Sequence, residues 1–489
     1  MDQATQRLSP LPVVVIGNGP SAICLSYFLS GYRPYFKESS VHPNPILQRK
    51  LEANLRRSIV DQNLEFLSEG LEGRSHSPVA VLFDSILRPD ADLGVSLDSV
   101  LSWRLEPDQY IPHLVLGKGP PGGAWHSIEG SVFTLSLGEW MELPDLPFRD
   151  WMRDKRRYLR NDRAMTADVA QYYQHYIHAK ELQENFVCGA VVTSVRRLSR
   201  LPGREEQTCA DTQTSDNPSL ANLFEVSGYS VTEGGSEKAF SICTENVVLA
   251  TGTYDSSTWL GIDGEELPFV HHATSEVETV IKEYQKAMSF DPILIVGAGL
   301  TAADAVIAAR HSNVPVIHVF RRQVNDPGLI FNQLPKLMYP EYHKVHQMMV
   351  QQACTSTGPY NDYLSLPGHQ VVRFTHDKKC VLQDLASGGS RTANIFMALV
   401  LIGSEPNLAF LPDGGRSLAI NPELPISTKR NPIGVDRYTY ECTQERGMYA
   451  LGPLVADNFV RFLQGGALAI TSALSKARSR VNVQSENSL

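Results

Sequence analysis

Two stretches of the chain share one pattern. Leu11 to Ile16 is a short apolar run rich in β-branched residues, followed by a glycine turn and an amphipathic stretch from Ser21 to Ser30. From Pro292 the pattern returns: an apolar run at Ile293 to Val296, a turn at Gly297 to Gly299, and helical spacing from Leu300 to Arg310. A short apolar run bounded by turn residues predicts a buried strand, and the 3.6-residue period after it predicts a helix. Gly31 is placed to end the first helix, with a second strand expected from Pro34 to Phe36; Val314 to Phe320 plays that part in the later stretch. Further strands are predicted at Phe224 to Val226, Phe240 to Ile242, Asn246 to Leu249 and Met397 to Ile402, and a helix at Thr166 to Ile177. Val41 to Leu116 shows no clear period. Ser199 to Leu220 is polar, with Pro202, Gly203 and Pro218, and reads as a flexible surface insert. Beyond Ala473 the chain is polar and is expected to fray. Alternating strands and helices place the chain in the α/β class.

The turns carry the chemistry. Gly17-Asn18-Gly19-Pro20-Ser21-Ala22 has the G-x-G-x-x-A spacing of a dinucleotide-binding turn. Gly17 permits the tight turn, Gly19 lets backbone approach a pyrophosphate, and Ala22 lets the helix pack on its strand. Pro20 and Ser21 then open a helix whose free N–H groups and partial positive charge suit phosphate. Glu38 lies about 20 residues on, where a ribose-binding carboxylate is expected; a solvated loop acid is the alternative. Gly297, Gly299, Leu300, Thr301 and Ala302 repeat the arrangement. The strand after the second turn ends in Arg321-Arg322, which suits the 2′-phosphate of NADPH better than the ribose of NAD, with a surface Arg pair as the alternative. With Ala250-Thr251-Gly252 and Leu399 to Gly403 at two return positions, the set resembles the two-dinucleotide flavoproteins. That resemblance implies FAD at the first turn, NADPH at the second, and an NADPH domain inserted in an FAD domain. The expected boundaries are 1–268 for FAD, 269–400 for NADPH, and 401–489 for the FAD return and tail.

Composition narrows the classes. The 489 residues carry a formal net charge of -9, which argues against nucleic acid as a partner. A basic cluster from Arg153 to Arg163 reads as a solvated helix face. Seven cysteines, odd in number and without a CxxC, point to a reducing compartment rather than to disulfides, zinc or dithiol chemistry; no metal site is expected. No run approaches the roughly 18 apolar residues of a membrane span, and no signal peptide opens the chain, so a cytoplasmic location without a membrane anchor is expected.

Gly122-Gly123-Ala124-Trp125 is similar to the GGxW segment of flavin-containing and N-hydroxylating monooxygenases, where it lies against the flavin. Leu143 to Phe148 resembles the FPDFPF run of the former; Phe331-Asn332 and Pro340-Glu341 echo pieces of ornithine hydroxylases. Gly452, after Met448 to Leu451, resembles the late flavin-contacting turn, followed by a helix from about Gly465. Taken with VIGNGPSAICLSYFLSGY, Gly70 to Asp84, GGAWHSIEGS, NPELP to NPIGVD and GPLVADNFVRFLQGGALA, these resemble the oxidative stress-induced growth inhibitor family over nearly the whole chain. The resemblance implies an NADPH-dependent flavin monooxygenase that oxygenates a soft sulfur or nitrogen nucleophile, a small molecule or a protein side chain, through a peroxyflavin. It further implies growth inhibition, cell death, differentiation and cytokinesis at the midbody, with regulators of these processes as partners. Where flavin-containing monooxygenases carry an Asn before FPDFPF, this chain has none between Ser131 and Met141; Ser136 and His126 are the polar candidates. An uncoupled oxidase releasing peroxide and a non-catalytic nucleotide-binding regulator are the alternatives.

Overall fold

A computed structural model describes residues 10–128, 132–155, 162–198, 223–231, 234–355 and 359–486. The chain divides into two compact units, one of Met1–His126, Phe133–Thr253 and Pro406–Leu489, the other of Ser127–Val132 and Tyr254–Glu405. Each has its own hydrophobic core. The polar insert at 199–220 lies outside the described residues, as does most of the basic cluster.

The first unit begins with β1 (Leu11–Ile16), α1 (Pro20–Leu29), β2 (Tyr32–Phe36), α2 (Pro78–Leu87), β3 (Leu101–Leu105) and β4 (His113–Gly117). It continues through β5 (Phe133–Leu137), β6 (Arg163–Met165), α3 (Thr166–Ala179), β7 (Phe186–Cys188), β8 (Ala190–Arg197), β9 (Phe224–Val231) and β10 (Glu237–Leu249). β1 lies between β4 and β10, parallel to both, with Val15 opposite Val115 on one side and Val248 on the other. A strand with parallel neighbours is covered on both faces, which is why LPVVVI is a continuous apolar run and not an alternating one. β10 changes partner along its length. Its exposed first half pairs antiparallel with β9, and its buried end is parallel to β1.

β2 departs from expectation. It pairs antiparallel with β3 in a separate two-stranded ribbon, and the strand beside β1 is β4, which the sequence left unassigned. α1 departs too: Ser21 through Leu29 are all buried, so the helix is apolar all round rather than amphipathic. Its Ser26 hydroxyl is satisfied by Nε2 of His113 at 2.8 Å, while Nδ1–H of that ring donates to the Ile111 carbonyl at 2.7 Å.

The second unit is an unbroken stretch apart from residues 127–132. β11 (Ser256–Ser257) and β12 (Val270–His271) lead to β13 (Ile293–Val296), α4 (Leu300–His311), β14 (Val316–Phe320) and β15 (Tyr363–Pro367). An antiparallel meander follows, β16 (His369–Thr375), β17 (Lys379–Asp384) and β18 (Ser390–Asn394), then β19 (Ala398–Val400) and β20 (Ser404–Glu405). The parallel sheet runs β12-β19-β13-β14-β15. Because β11 pairs with β20, the unit begins near residue 254 and ends near 405, not at 269 and 400 as read from sequence.

The chain then returns to the first unit with β21 (Met448–Ala450), parallel to β10, and α5 (Val460–Glu486). α5 starts five residues before the position expected from Gly465. Gly465 and Gly466 lie inside it, where a Cβ would stand 2.4 Å from Ala80 Cα and 2.7 Å from the Tyr440 ring. Beyond Ala473, where the polar sequence is expected to fray, the helix continues to Glu486, with Lys476 Nζ on the Gln62 carbonyl at 3.0 Å. Near its start the buried Arg461 makes a two-pronged pair with Asp84 of α2, Nε to Oδ1 being 2.8 Å. Arg461 also faces Asp92 at 3.1 Å and Asp84 faces Arg88 at 3.8 Å, so the pair belongs to a small charge network. Among the described residues no helix is long and apolar enough to cross a membrane.

Candidate functional site

Both glycine turns are built to one plan. In the first unit Gly17 has φ +103°, and a Cβ there would lie 2.4 Å from the Ala250 carbonyl oxygen. In the second, Gly297 has φ +135°, and its Cβ would lie 2.3 Å from the Leu401 oxygen. Only glycine fits a positive φ jammed against the return strand. Each turn also bonds the strand next door: Gly17 N–H donates to Leu116 O at 2.8 Å, and Gly297 N–H to Val319 O at 2.9 Å.

The second glycine of each turn differs in kind. A Cβ on Gly19 or on Gly299 would meet nothing within 4 Å. Each is the N-cap of its helix, and neither helix end is closed by a side chain. Pro20 occupies the first helical position, where a missing N–H costs nothing. The first-turn amides are therefore left without a side-chain cap at the positive end of a helix, the arrangement that receives a diphosphate. Ala22 and Ala302 are fully buried beneath, where their small size lets helix meet strand. Leu300 and Thr301 are half-buried on the rim of the second turn.

Other first-unit candidates gather around Gly19. A Cβ on Gly123 would lie 3.1 Å from Gly19 Cα, so the GGAW segment folds over the turn. The segment is tied there by Gly122 N–H to Asn18 O at 2.9 Å and by Asn18 Nδ2 to Gly119 O at 2.7 Å. Gly452 reaches the turn from the other side; its Cβ would lie 2.5 Å from Ser21 Oγ. Trp125 packs edge-on against Tyr173 of α3, ring centroids 6.2 Å apart.

Glu38 is not among them. It is exposed in the turn after β2, outside the main sheet. The expectation for Glu38 rests on its spacing from the turn; the strand beside β1 is β4, which ends in Gly117-Lys118 with no acid. Asn18 fills the space a side chain at Gly117 would need. These two residues were missed, because the motif treats the position between the glycines as free.

His126 closes its own loop: its Nε2–H donates to the Pro121 carbonyl at 2.8 Å. Ser136 is buried in β5, and its carbonyl accepts the Thr134 hydroxyl at 2.7 Å. In the second unit Arg321 and Arg322 are both exposed at the end of β14. They are not equivalent. Arg322 faces Asp326 at 3.5 Å, while Arg321 has no ion pair among the described residues. Asn332 ties that same loop through Nδ2 to Asp326 O at 2.8 Å. His318 and Tyr363, below the second turn, were also missed; the signal was a lone polar residue in the apolar run VIHVF.

Residues 207–473 match the family model of the pyridine nucleotide-disulphide oxidoreductases, a span that takes in the second turn. Oxidative stress-induced growth inhibitor 1 of Mus musculus is 57% identical over 471 residues, 96% of each chain. Oxidative stress-induced growth inhibitor 2 of Homo sapiens is 53% identical over 475 residues, 96% of this chain and 94% of its own. Among solved structures, the bacillithiol disulfide reductase Bdr of Staphylococcus aureus aligns with a TM-score of 0.58 at 14% identity, over 96% of this chain and 99% of that one. Ornithine hydroxylase PvdA of Pseudomonas aeruginosa aligns at 0.54 and 12% identity, with the same coverages. Likeness at such low identity carries the fold alone, that of the two-dinucleotide-binding flavoproteins. Two repeated cradles on that fold, and close relatives along nearly the whole length, lead to one conclusion: the chain belongs to the oxidative stress-induced growth inhibitor family, within the flavoprotein oxidoreductases.

Proposed function

We propose that this protein is an NADPH-dependent FAD monooxygenase acting on a soft sulfur or nitrogen nucleophile, and that growth restraint follows from this chemistry. The observation that carries the reading is the pair of helix starts without a side-chain cap, the second beside a strand that runs into Arg321, which makes no ion pair among the described residues. Gly17, Gly19, Pro20, Ser21 and Ala22 would hold the FAD diphosphate, with Gly122, Gly123, Trp125 and Gly452 around the rest of the cofactor. Gly297, Gly299, Leu300, Thr301 and Ala302 would hold the NADPH diphosphate, and Arg321 its 2′-phosphate. Bound FAD supplies hydride acceptance and reaction with oxygen; the protein supplies position and dryness. The overall balance is NADPH, a proton, oxygen and the nucleophile giving NADP⁺, water and the oxygenated product.

Dithiol chemistry is disfavoured because the sequence has no CxxC, the neighbouring pair of sulfurs it needs. A second reading, peroxide release, is favoured by Ser136: a hydroxyl offers one donor where an asparagine amide offers two. The names of the relatives support the growth-inhibitory outcome. A cytoplasmic and midbody location and cytokinesis partners belong to the same proposal. The test is the stoichiometry of NADPH, oxygen and peroxide on FAD-loaded protein. NADPH use exceeding peroxide, with an oxygenated product, supports the monooxygenase; one peroxide per NADPH supports the oxidase; no FAD uptake and no NADPH use would defeat both.

A further inference from the structure

His318 sits in the middle of β14 and is fully buried. A histidine there is costly unless both ring nitrogens find partners. Both do. Nε2 lies 2.7 Å from the Gly297 carbonyl oxygen, and Nδ1 lies 2.8 Å from the hydroxyl of Tyr363 on β15. A carbonyl only accepts, so the proton is on Nε2, and the tyrosine hydroxyl donates to Nδ1. Gly297 is thus held at both ends by successive residues of one strand: its N–H by Val319 O, its carbonyl by His318.

The first turn shows that the fold itself does not require this. There Gly17 N–H donates to Leu116 O, so the residue equivalent to His318 is Val115, also fully buried. Among the described residues no side chain donates to the Gly17 carbonyl. In a trans peptide the carbonyl and the following N–H point in opposite directions. Fixing the Gly297 carbonyl towards β14 therefore fixes the Ala298 N–H away from it, and that N–H has no hydrogen-bond partner among the described residues.

We infer that His318 is a positioning residue for the second dinucleotide site: it orients the Gly297–Ala298 peptide so that the turn presents its amides to the nicotinamide cofactor's diphosphate. This rests on the dinucleotide reading of that turn given above. Tyr363 has a defined part: its hydroxyl donates to Nδ1, satisfying that buried acceptor and holding the ring in place.

The experiment uses full-length FAD-loaded protein and measures NADPH binding by titration calorimetry. His318→Leu is expected to weaken NADPH about tenfold, the scale of one hydrogen bond's net contribution, with FAD content unchanged. His318→Gln, which keeps an N–H donor, is expected to recover most of the affinity. Equal affinity in His318→Leu and the unaltered protein overturns the inference, and so does a His318→Gln protein as weak as His318→Leu. If His318→Leu does not fold, Tyr363→Phe decides, because it keeps the imidazole but removes the hydroxyl that anchors Nδ1: a severalfold loss supports the role and an unchanged affinity sinks it. If the unaltered protein binds neither NADPH nor NADH, the dinucleotide reading of the turn fails. Amide exchange across 297–302 in nucleotide-free protein then still tests the positioning, which requires faster exchange in His318→Leu than in His318→Gln and is refuted by equal rates.

Discussion

The carboxamide of Asn18 occupies the space in which a side chain at Gly117 would begin: Nδ2 lies 2.1 Å from where that Cβ would stand. The first turn and the end of the adjacent parallel strand are therefore a matched pair. Gly117→Ala is expected to drive Asn18 off the Gly119 carbonyl and to lower FAD retention by about tenfold, the scale of one or two lost hydrogen bonds. Glu38→Gln should leave retention unchanged. The ratio of flavin to protein absorbance in purified samples checks both. A loss of FAD in Glu38→Gln would restore the carboxylate to the site.

The two glycines of each turn should respond in opposite ways. Gly17→Ala and Gly297→Ala place a methyl group against a backbone oxygen at a strained φ, and each should destabilise its unit by about 3 kcal/mol or more. Gly19→Ala and Gly299→Ala meet open space at ordinary φ values of −71° and −93°. They should leave the nucleotide-free protein as stable as before while blocking FAD and NADPH respectively. Thermal melts with and without each cofactor would show the split, and normal FAD uptake by Gly19→Ala would contradict it.

Arg321 and Arg322 should separate. Arg321→Ala is expected to cost about 1.5–3 kcal/mol of NADPH binding, as for a charge-assisted contact, with NADH little affected. Arg322→Ala should cost less, because Asp326 already engages that guanidinium. Equal losses for NADPH and NADH would remove the phosphate from the picture.

Burial pushes both His113 and His318 down to about 4, so both are neutral in the folded protein at neutral pH. Unfolded, each titrates near the ordinary value of about 6.5. Between these values the unfolded chain binds more protons, so stability is full above about pH 6.5 and falls as pH drops towards 4. Burial has the reverse effect on Asp457, raising it to about 6, which offsets part of the loss in the first unit. The second unit, with His318, should therefore melt first on acidification. His318→Gln should flatten its pH dependence. A second unit whose melting temperature is constant from pH 7 to 5 would refute the assignment.

Much of this was legible from sequence where one residue type has one physical use. Gly17 and Gly297 follow apolar runs, and their positions alone locate the strand ends and the cradles. The period of Thr166 to Ile177 likewise predicts a helix, which runs on to Ala179. What failed depended on partners distant in sequence. Nothing local says that YRPYF pairs with LSWRL, so the spacing of Glu38 from the turn misleads. Gly465 and Gly466 look like a helix start, but their small size answers Ala80 and Tyr440 across a helix contact. The role of His318 depends on a carbonyl 21 residues away, which no periodicity records.

The intimate fit of α5 against Ala80 and Tyr440, together with β21 beside β10, has a consequence for biogenesis. As the polypeptide leaves the ribosome, residues 254–405 emerge as a self-contained block and can finish folding early. The surrounding unit must wait for its last helix, with the apolar faces of α1 and α2 uncovered in the meantime. A nascent chain stalled before Val460 would carry a completed second unit and an open first unit, the species most in need of a chaperone.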